Sequence, residues 1–217
     1  MPHSYLFFDI EPSIHLVPAE ELQAFKEECA SWIELQTNVR VRAFATLGLK
    51  AGSRIMLHAW TDEAADIQTF VRDLLHTKLG AHLKITYSLL GMTRTSPYNP
   101  KGTPPKPFED SNKKYLVVYP FTKTIAWHLK PQEERSAIMR DHVGVGRKYR
   151  SSIDQLLLYS YGVDDHEFIV SYETDSLQEF QTLVMELRGT EGRRYTQNDI
   201  PMFTCVRMAP RQALDML

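Results

Sequence analysis

The chain is 217 residues long, 43% hydrophobic, 24% charged and 11% aromatic. That balance excludes a disordered, collagen-like or disulfide-stapled protein and leaves room for one large domain or two small ones. Its 25 Lys and Arg nearly cancel its 27 Asp and Glu, with 11 basic and 13 acidic residues up to Asp110 and 14 of each beyond it. Neither half therefore has the basic excess of a counterion-driven nucleic-acid binder.

The N-terminus holds one short apolar run, Tyr5–Phe8, followed at once by Asp9 and Glu11. This predicts a strand and not the apolar core of a signal peptide. No run approaches the length that spans a bilayer, so no membrane insertion is expected. Cys29 and Cys205 lie far apart in apolar contexts, which suits reduced core thiols and a cytoplasmic location.

In chain order, Ser4–Ile10 predicts a strand, and Pro18 opens a helix with Leu22, Phe25, Cys29, Trp32 and Ile33 on one face. Two strands follow, over Val39–Leu49 and Ser53–Trp60. Asp62 is expected to cap a second helix carrying Ile67, Phe70, Val71, Leu74 and Leu75, the stripe of a half-buried helix. Leu83–Met92 closes this half as a strand. The stretch Thr95–Lys114 holds five prolines and one glycine and cannot be an element interior.

Beyond it the order repeats. Lys114–Phe121 predicts a strand, and Pro131 opens a helix to about His142, with Gly144 and Gly146 loosening or ending it. Strands follow over Ile153–Gly162 and His166–Thr174, turned by Gly162-Val-Asp-Asp. Ser176 and Glu179 form the sequence of a capping box, starting a helix with Phe180, Leu183, Val184 and Leu187 inward, and Pro201–Met208 is the last strand. The expected fold class is α+β: a ferredoxin-like βαββαβ unit written twice, closing as a dimeric α+β barrel within one chain. The expected division is an N-terminal half over 1–94, a Pro-rich linker over 95–114 and a C-terminal half over 115–217.

Few residues stand out chemically. His142 lies three after Met139 and four after Ile138, on the apolar side of its helix. Composition alone favours a hydrogen-bonded core histidine; the sharper reading is an axial ligand to a haem iron held between helix and sheet. Gln155 is a neutral amide on a strand, either satisfied in the core or turned to a ligand. Tyr119 and Lys123, four apart in a strand, share a face; they are an amphipathic strand end or a phenol and a cation facing an anionic substrate. Arg147, Lys148 and Arg150 suit a solvated turn. HExxH, CxxC, GxSxG, the phosphate-cradling GxxxxGK[ST] and a Gly-rich dinucleotide fingerprint are all absent from the sequence.

Four segments together resemble the chlorite dismutase family. These are Tyr119-Pro-Phe-Thr-Lys123, Met139-Arg-Asp-His142-Val-Gly-Val-Gly-Arg147-Lys-Tyr149, Tyr161-Gly-Val-Asp-Asp-His-Glu-Phe168 and Glu186-Leu-Arg-Gly-Thr-Glu191. The resemblance is strongest from Tyr115 to Met208, and the family's fold is the same duplicated barrel. It implies His142 as the proximal iron ligand and Glu191 as the carboxylate bonded to its other ring nitrogen. The distal position, thirteen residues after His142, is Gln155. Chlorite-degrading members carry arginine there, and a large bacterial branch of coproheme decarboxylases carries glutamine.

The resemblance therefore implies a haem-biosynthesis enzyme that takes iron coproporphyrin III to haem b with hydrogen peroxide. Tyr119 would be its radical residue, Lys123 and Arg147 its propionate clamps, and Tyr98 and Trp127 would stand at the porphyrin edge. The alternatives are a chlorite dismutase and a non-catalytic haem-binding or haem-transfer protein. The uninterrupted Thr124–His128 connection looks more like the chlorite-degrading members, since decarboxylases with distal glutamine usually carry a longer insertion. A complete N-terminal half resembles the pentameric members, so a homopentamer is expected.

Overall fold

The computed structural model describes residues 1–98 and 111–217; most of the expected linker, residues 99–110, lies outside the described residues. The elements run β1 (Pro2–Ile10), α1 (Ala19–Glu34), β2 (Arg40–Ala45), β3 (Ile55–Trp60), α2 (Ala64–Leu75), β4 (Leu83–Met92), β5 (Tyr115–Lys123), α3 (Ile125–His128), α4 (Gln132–Arg147), β6 (Ile153–Tyr159), β7 (Phe168–Thr174), α5 (Leu177–Arg188), β8 (Thr196–Asn198), β9 (Phe203–Met208) and α6 (Pro210–Leu214). The fold is α+β with antiparallel sheets throughout. Two compact units form: residues 1–92 with 203–217, and residues 93–202. The sequence-predicted halves differ from this at the C-terminus. Strand β9 pairs with β2 through Ala43↔Met208, Phe44↔Arg207 and Ala45↔Val206, and residues 203–217 belong to the first unit.

In the first unit β1 is central, flanked by β3 and β4, with β2 beyond β3. Leu6 and Phe8 of β1 pack into one cluster with Cys29, Ala30 and Ile33 of α1 and Phe70 and Leu74 of α2. The alternate residues Tyr5 and Phe7 are also buried, so β1 reads as a continuous apolar run, as a strand covered on both faces must. Helix α1 starts at Pro18 with Glu20 and Glu21 in its first turn, favourable to the helix dipole. The expected Asp62 cap is not found: α2 begins after Glu63, with no side-chain cap.

In the second unit β7 lies between β5 and β6, and β8 adds to the far end of β5. Helix α5 buries Phe180 and Leu183 against Val117, Ile153, Val170 and Tyr172 of this sheet. Only half of the expected capping box forms. Ser176 Oγ accepts from the Glu179 amide at 3.2 Å, while the Glu179 carboxylate accepts from Ser152 instead of reaching back. The turn from β6 to β7 passes through Gly162 at φ 71°, a left-handed conformation that glycine adopts without strain.

Helix α4 departs most from expectation. It runs through Gly144 and Gly146 to Arg147, one and a half turns beyond the expected end. Neither glycine takes a positive φ, and a Cβ at either would meet nothing within 4 Å, so nothing local forces a stop; each costs about 1 kcal/mol relative to alanine. None of the sixteen residues of α4 is fully buried. A helix of that length is marginal on propensity alone and depends on what it packs against.

A buried histidine pair in the first unit gives fold stability a pH dependence. His3 Nδ1 lies 3.0 Å from His58 Nε2, with both rings almost fully excluded from solvent. Burial, and next the N-terminal charge, push the His3 pKa down to about 3; burial, then His3 and Arg42, hold His58 well below the ordinary histidine range. The unfolded chain protonates both near pH 6.5 while the folded one keeps them neutral, so their contribution is complete above that pH and is lost as pH falls towards 3. The Tm should fall between about pH 7 and pH 4, and a His3→Gln, His58→Gln double variant should show a flatter profile by calorimetry.

Candidate functional site

A cavity of about 680 Å³ opens within the second unit, the size of a site for a large organic ligand. Its floor is one face of the sheet. Alternation delivers Tyr119, Phe121 and Lys123 from β5, Gln155, Leu157 and Tyr159 from β6, and Phe168, Val170 and Tyr172 from β7. Their strand neighbours Val118, Leu156, Leu158 and Ile169 are buried with no exposed surface. The roof is α4, which contributes Arg135, Met139, His142, Val143, Gly146 and Arg147, and α5, which contributes Leu183, Val184, Leu187 and Arg188. The apolar side of α4 thus faces the cavity, and its residues there are at most half-buried.

The His142 ring lines this cavity, and its Nδ1 lies 3.3 Å from Thr190 Oγ1. The expected bond from Glu191 is not there. Glu191 is exposed at the start of a 3-10 turn over Glu191–Tyr195, whereas the preceding Thr190 is buried against the imidazole. Burial, then the charge of Lys123, lower the His142 pKa, with Asp141 opposing. The ring is therefore neutral at neutral pH, the form that ligates a metal. Among the described residues no cluster of three or more His, Cys, Asp or Glu could hold a bare metal ion.

The tyrosine and lysine of β5 are both perturbed by the same exclusion of water. Desolvation pushes Tyr119 up to about 12, against a hydrogen bond from Tyr172 that pulls the other way, and the two rings stack with centroids 6.2 Å apart. Burial, then the charge of Arg193, bring Lys123 down to about 8. Its Nζ donates to the Gly192 carbonyl at 3.4 Å and to Thr196 Oγ1 at 3.3 Å, and lies 4.9 Å over the Trp127 ring. Trp127 is buried, held in α3 by the Thr124 cap and set beside Tyr195 and Tyr98.

The walls are strongly cationic. Lys123, Arg135, Arg147, Arg150, Arg188 and Arg193 face two carboxylates, Asp154 and Asp199. Asp199 is shared by Arg188 at 2.8 Å and Arg193 at 3.1 Å, and Asp154 lies 3.8 Å from Lys113. Lys123, Arg135, Arg147 and Arg150 make no ion pair among the described residues, and Arg135 keeps a buried Nε without a hydrogen-bond partner. An apolar cavity bordered by four cations that lack ion-pair partners among the described residues suits a large polycarboxylate.

Of the residues singled out from the sequence, His142, Tyr119, Lys123, Gln155, Arg147, Tyr98 and Trp127 all border this one cavity, and Glu191 does not. Arg150, expected in a solvated turn, also borders it. Sequence reading missed Tyr172, Arg135 and Thr190. The β7 alternation that places Val170 inward would have found Tyr172; Thr190 carried no signal, being one position from the residue favoured instead.

Residues 18–208 match the chlorite dismutase family model. Among curated proteins, the chain is 27% identical to a coproheme decarboxylase of Mycolicibacterium smegmatis over 187 residues, covering 84% of this chain and 80% of that one. It is 31% identical to a coproheme decarboxylase of Staphylococcus saprophyticus over 200 residues, covering 82% and 80%. Among solved structures, a mutant chlorite dismutase from Candidatus Nitrospira defluvii superposes with a TM-score of 0.90 at 23% identity, covering 99% of this chain and 94% of the other. A structure of that organism's chlorite dismutase in complex with imidazole gives the same TM-score, also at 23% identity, covering 99% and 93%.

The lowered pKa of Lys123 fixes the pH response of anion binding here. Its ammonium is present below about pH 8 and lost above it, so a polycarboxylate should bind more weakly as pH rises through that value. Lys123→Met should weaken binding below about pH 8 and remove that step, the two proteins converging at higher pH, as followed by fluorescence quenching of the nearby tryptophan.

Proposed function

The chain belongs to the chlorite dismutase family, and from that premise we propose that it is a coproheme decarboxylase. It takes iron coproporphyrin III to haem b, oxidising two propionates to vinyl groups with hydrogen peroxide. Each decarboxylation consumes one peroxide and one proton and releases one carbon dioxide and two waters. The observation that carries this reading is the pairing, in one cavity, of a single neutral imidazole with four cations that lack ion-pair partners among the described residues. One imidazole cannot hold a bare metal ion, but it completes the coordination of an iron whose other ligands come from a macrocycle. The cations suit a substrate bearing several carboxylates.

The cavity's residues fit that substrate. His142 would hold the iron, and the apolar residues of sheet and helix would hold the macrocycle. When bound, the ferric porphyrin supplies peroxide activation at its iron. The remaining work falls to the protein. Lys123 and Arg147 hold propionates by charge-assisted hydrogen bonds. Gln155 presents a neutral amide to peroxide, a neutral oxidant that needs a hydrogen-bond partner and not a counter-charge. Tyr119 keeps its proton at any physiological pH, because its pKa is pushed up to about 12. It would therefore lose a hydrogen atom, proton and electron together, to the peroxide oxidant, and its radical would regain one from a propionate held beside it. The second electron passes to the same oxidant as carbon dioxide leaves and the vinyl group forms. Tyr172 stacks beside Tyr119 at 6.2 Å between ring centroids, and the two phenols are coupled by a hydrogen bond. Tyr98 and Trp127 border the porphyrin edge, and proximity supplies the larger part of such a step.

The two units are read as two copies of a ferredoxin-like unit, supported by the β4-β1-β3-β2 strand order of the first. A homopentamer in the cytoplasm completes the proposal. Free, buried Cys29 and Cys205 suit that reducing compartment, and no helix among the described residues is long and apolar enough to cross a membrane.

Adding peroxide to the iron coproporphyrin complex should produce a mass loss of two carbon dioxides, abolished in Tyr119→Phe. A Tyr119→Phe variant that decarboxylates normally would remove Tyr119 from the mechanism. Oxygen release from chlorite would instead make the chain a chlorite dismutase, a reading to which the short Thr124–His128 connection lends some weight. Inertness to both oxidants would leave a haem-binding or haem-transfer protein.

A further inference from the structure

We infer that Thr190 is the positioning residue for His142 and that it fixes the ring in the tautomer protonated on Nδ1, leaving a lone pair on Nε2. This rests on the reading of His142 as an iron ligand. Thr190 Oγ1 lies 2.8 Å from the Leu187 carbonyl oxygen, and a carbonyl can only accept, so the hydroxyl hydrogen is engaged there. The same oxygen lies 3.3 Å from His142 Nδ1. With its hydrogen engaged, the hydroxyl offers that nitrogen only lone pairs. Nδ1 must therefore carry the proton, and Nε2 is the nitrogen left to bind a metal.

The surroundings keep this arrangement in register. The Thr190 amide also donates to the Leu187 carbonyl at 3.1 Å, so two bonds tie the hydroxyl to the end of α5 and not to a free loop. Gly192 packs on the other side, where a Cβ would lie 3.5 Å from His142 Nδ1. Thr190 is only 7% exposed, so water competes poorly for Nδ1. A hydroxyl differs from a carboxylate in consequence as well as identity. A carboxylate draws the Nδ1 proton and makes the ligand more basic; a neutral hydroxyl leaves an ordinary imidazole.

The test uses the apoprotein first. In ¹⁵N-histidine-labelled protein, the His142 signal, assigned by its loss in His142→Gln, should report the Nδ1-protonated tautomer. Thr190→Val keeps the shape and the backbone bond but should give a mixed or reversed tautomer. Thr190→Ser should restore the wild-type signal, and Glu191→Gln should leave it unchanged. Affinity for iron coproporphyrin should fall about tenfold in Thr190→Val and remain near wild type in Thr190→Ser. An unchanged tautomer and affinity in Thr190→Val would overturn the inference, as would a loss confined to Glu191→Gln, which would return the role to the carboxylate. If the tautomer responds as expected but the wild type takes up no porphyrin, Thr190 keeps its role and the enzymatic reading fails.

Discussion

A sheet face and a helix that stand apart impose the main constraint on the second unit. Helix α4 buries none of its sixteen residues, and the facing strands turn aromatic and aliphatic side chains into the space beneath it. Apolar surfaces facing each other across a void forgo the burial and dispersion that normally hold a helix down. What retains α4 is modest: partial packing of Val145 and Tyr149, with Tyr149 and Lys148 bonded to Glu186 of α5 at 2.6 and 2.8 Å. Exposed pairs of that kind contribute little. The residues that line the cavity are therefore also the ones that α4 faces, so the site and the stability of α4 are one problem.

Exclusion of water from this space acts on three groups in directions set by their charge types. It disfavours the charged form of each, which lowers His142, lowers Lys123 to about 8 and raises Tyr119 to about 12. At neutral pH the results are a neutral imidazole, a protonated phenol and a lysine still charged but close to releasing its proton. Each state is the useful one: an available nitrogen lone pair, an intact O–H and a cation for carboxylates. No separate device is needed for each residue, because burial by the surrounding protein is the largest cause of all three shifts.

Periodicity made much of the architecture legible. The stripe Ile67, Phe70, Leu74 places α2, and the even spacing of Tyr119, Phe121 and Lys123 places one edge of the cavity floor. Two features escaped for local reasons. Gly144 and Gly146 looked like a helix end, yet an exposed helix tolerates glycine when no turn demands a positive φ. Thr190 and Glu191 differ by one position in a turn that follows a helix, and sequence spacing does not say which of two neighbours points inward. The allegiance of β9 was hidden for another reason: strand pairing is decided by which edge offers free backbone groups, and the sequence of Phe203–Met208 is silent on that. The resemblance to a known family was carried mainly by the stretch around His142, where chemistry restricts residue choice more tightly than packing does.

Coordination of a porphyrin iron by His142 is the claim from which the rest follows. Absorption titration of the apoprotein with iron coproporphyrin tests it most directly, run in parallel on wild type and His142→Ala. Saturation at one porphyrin per chain, with bands of an imidazole-ligated iron that vanish in the variant, is the predicted result. Superimposable spectra and binding curves for the two proteins would contradict it.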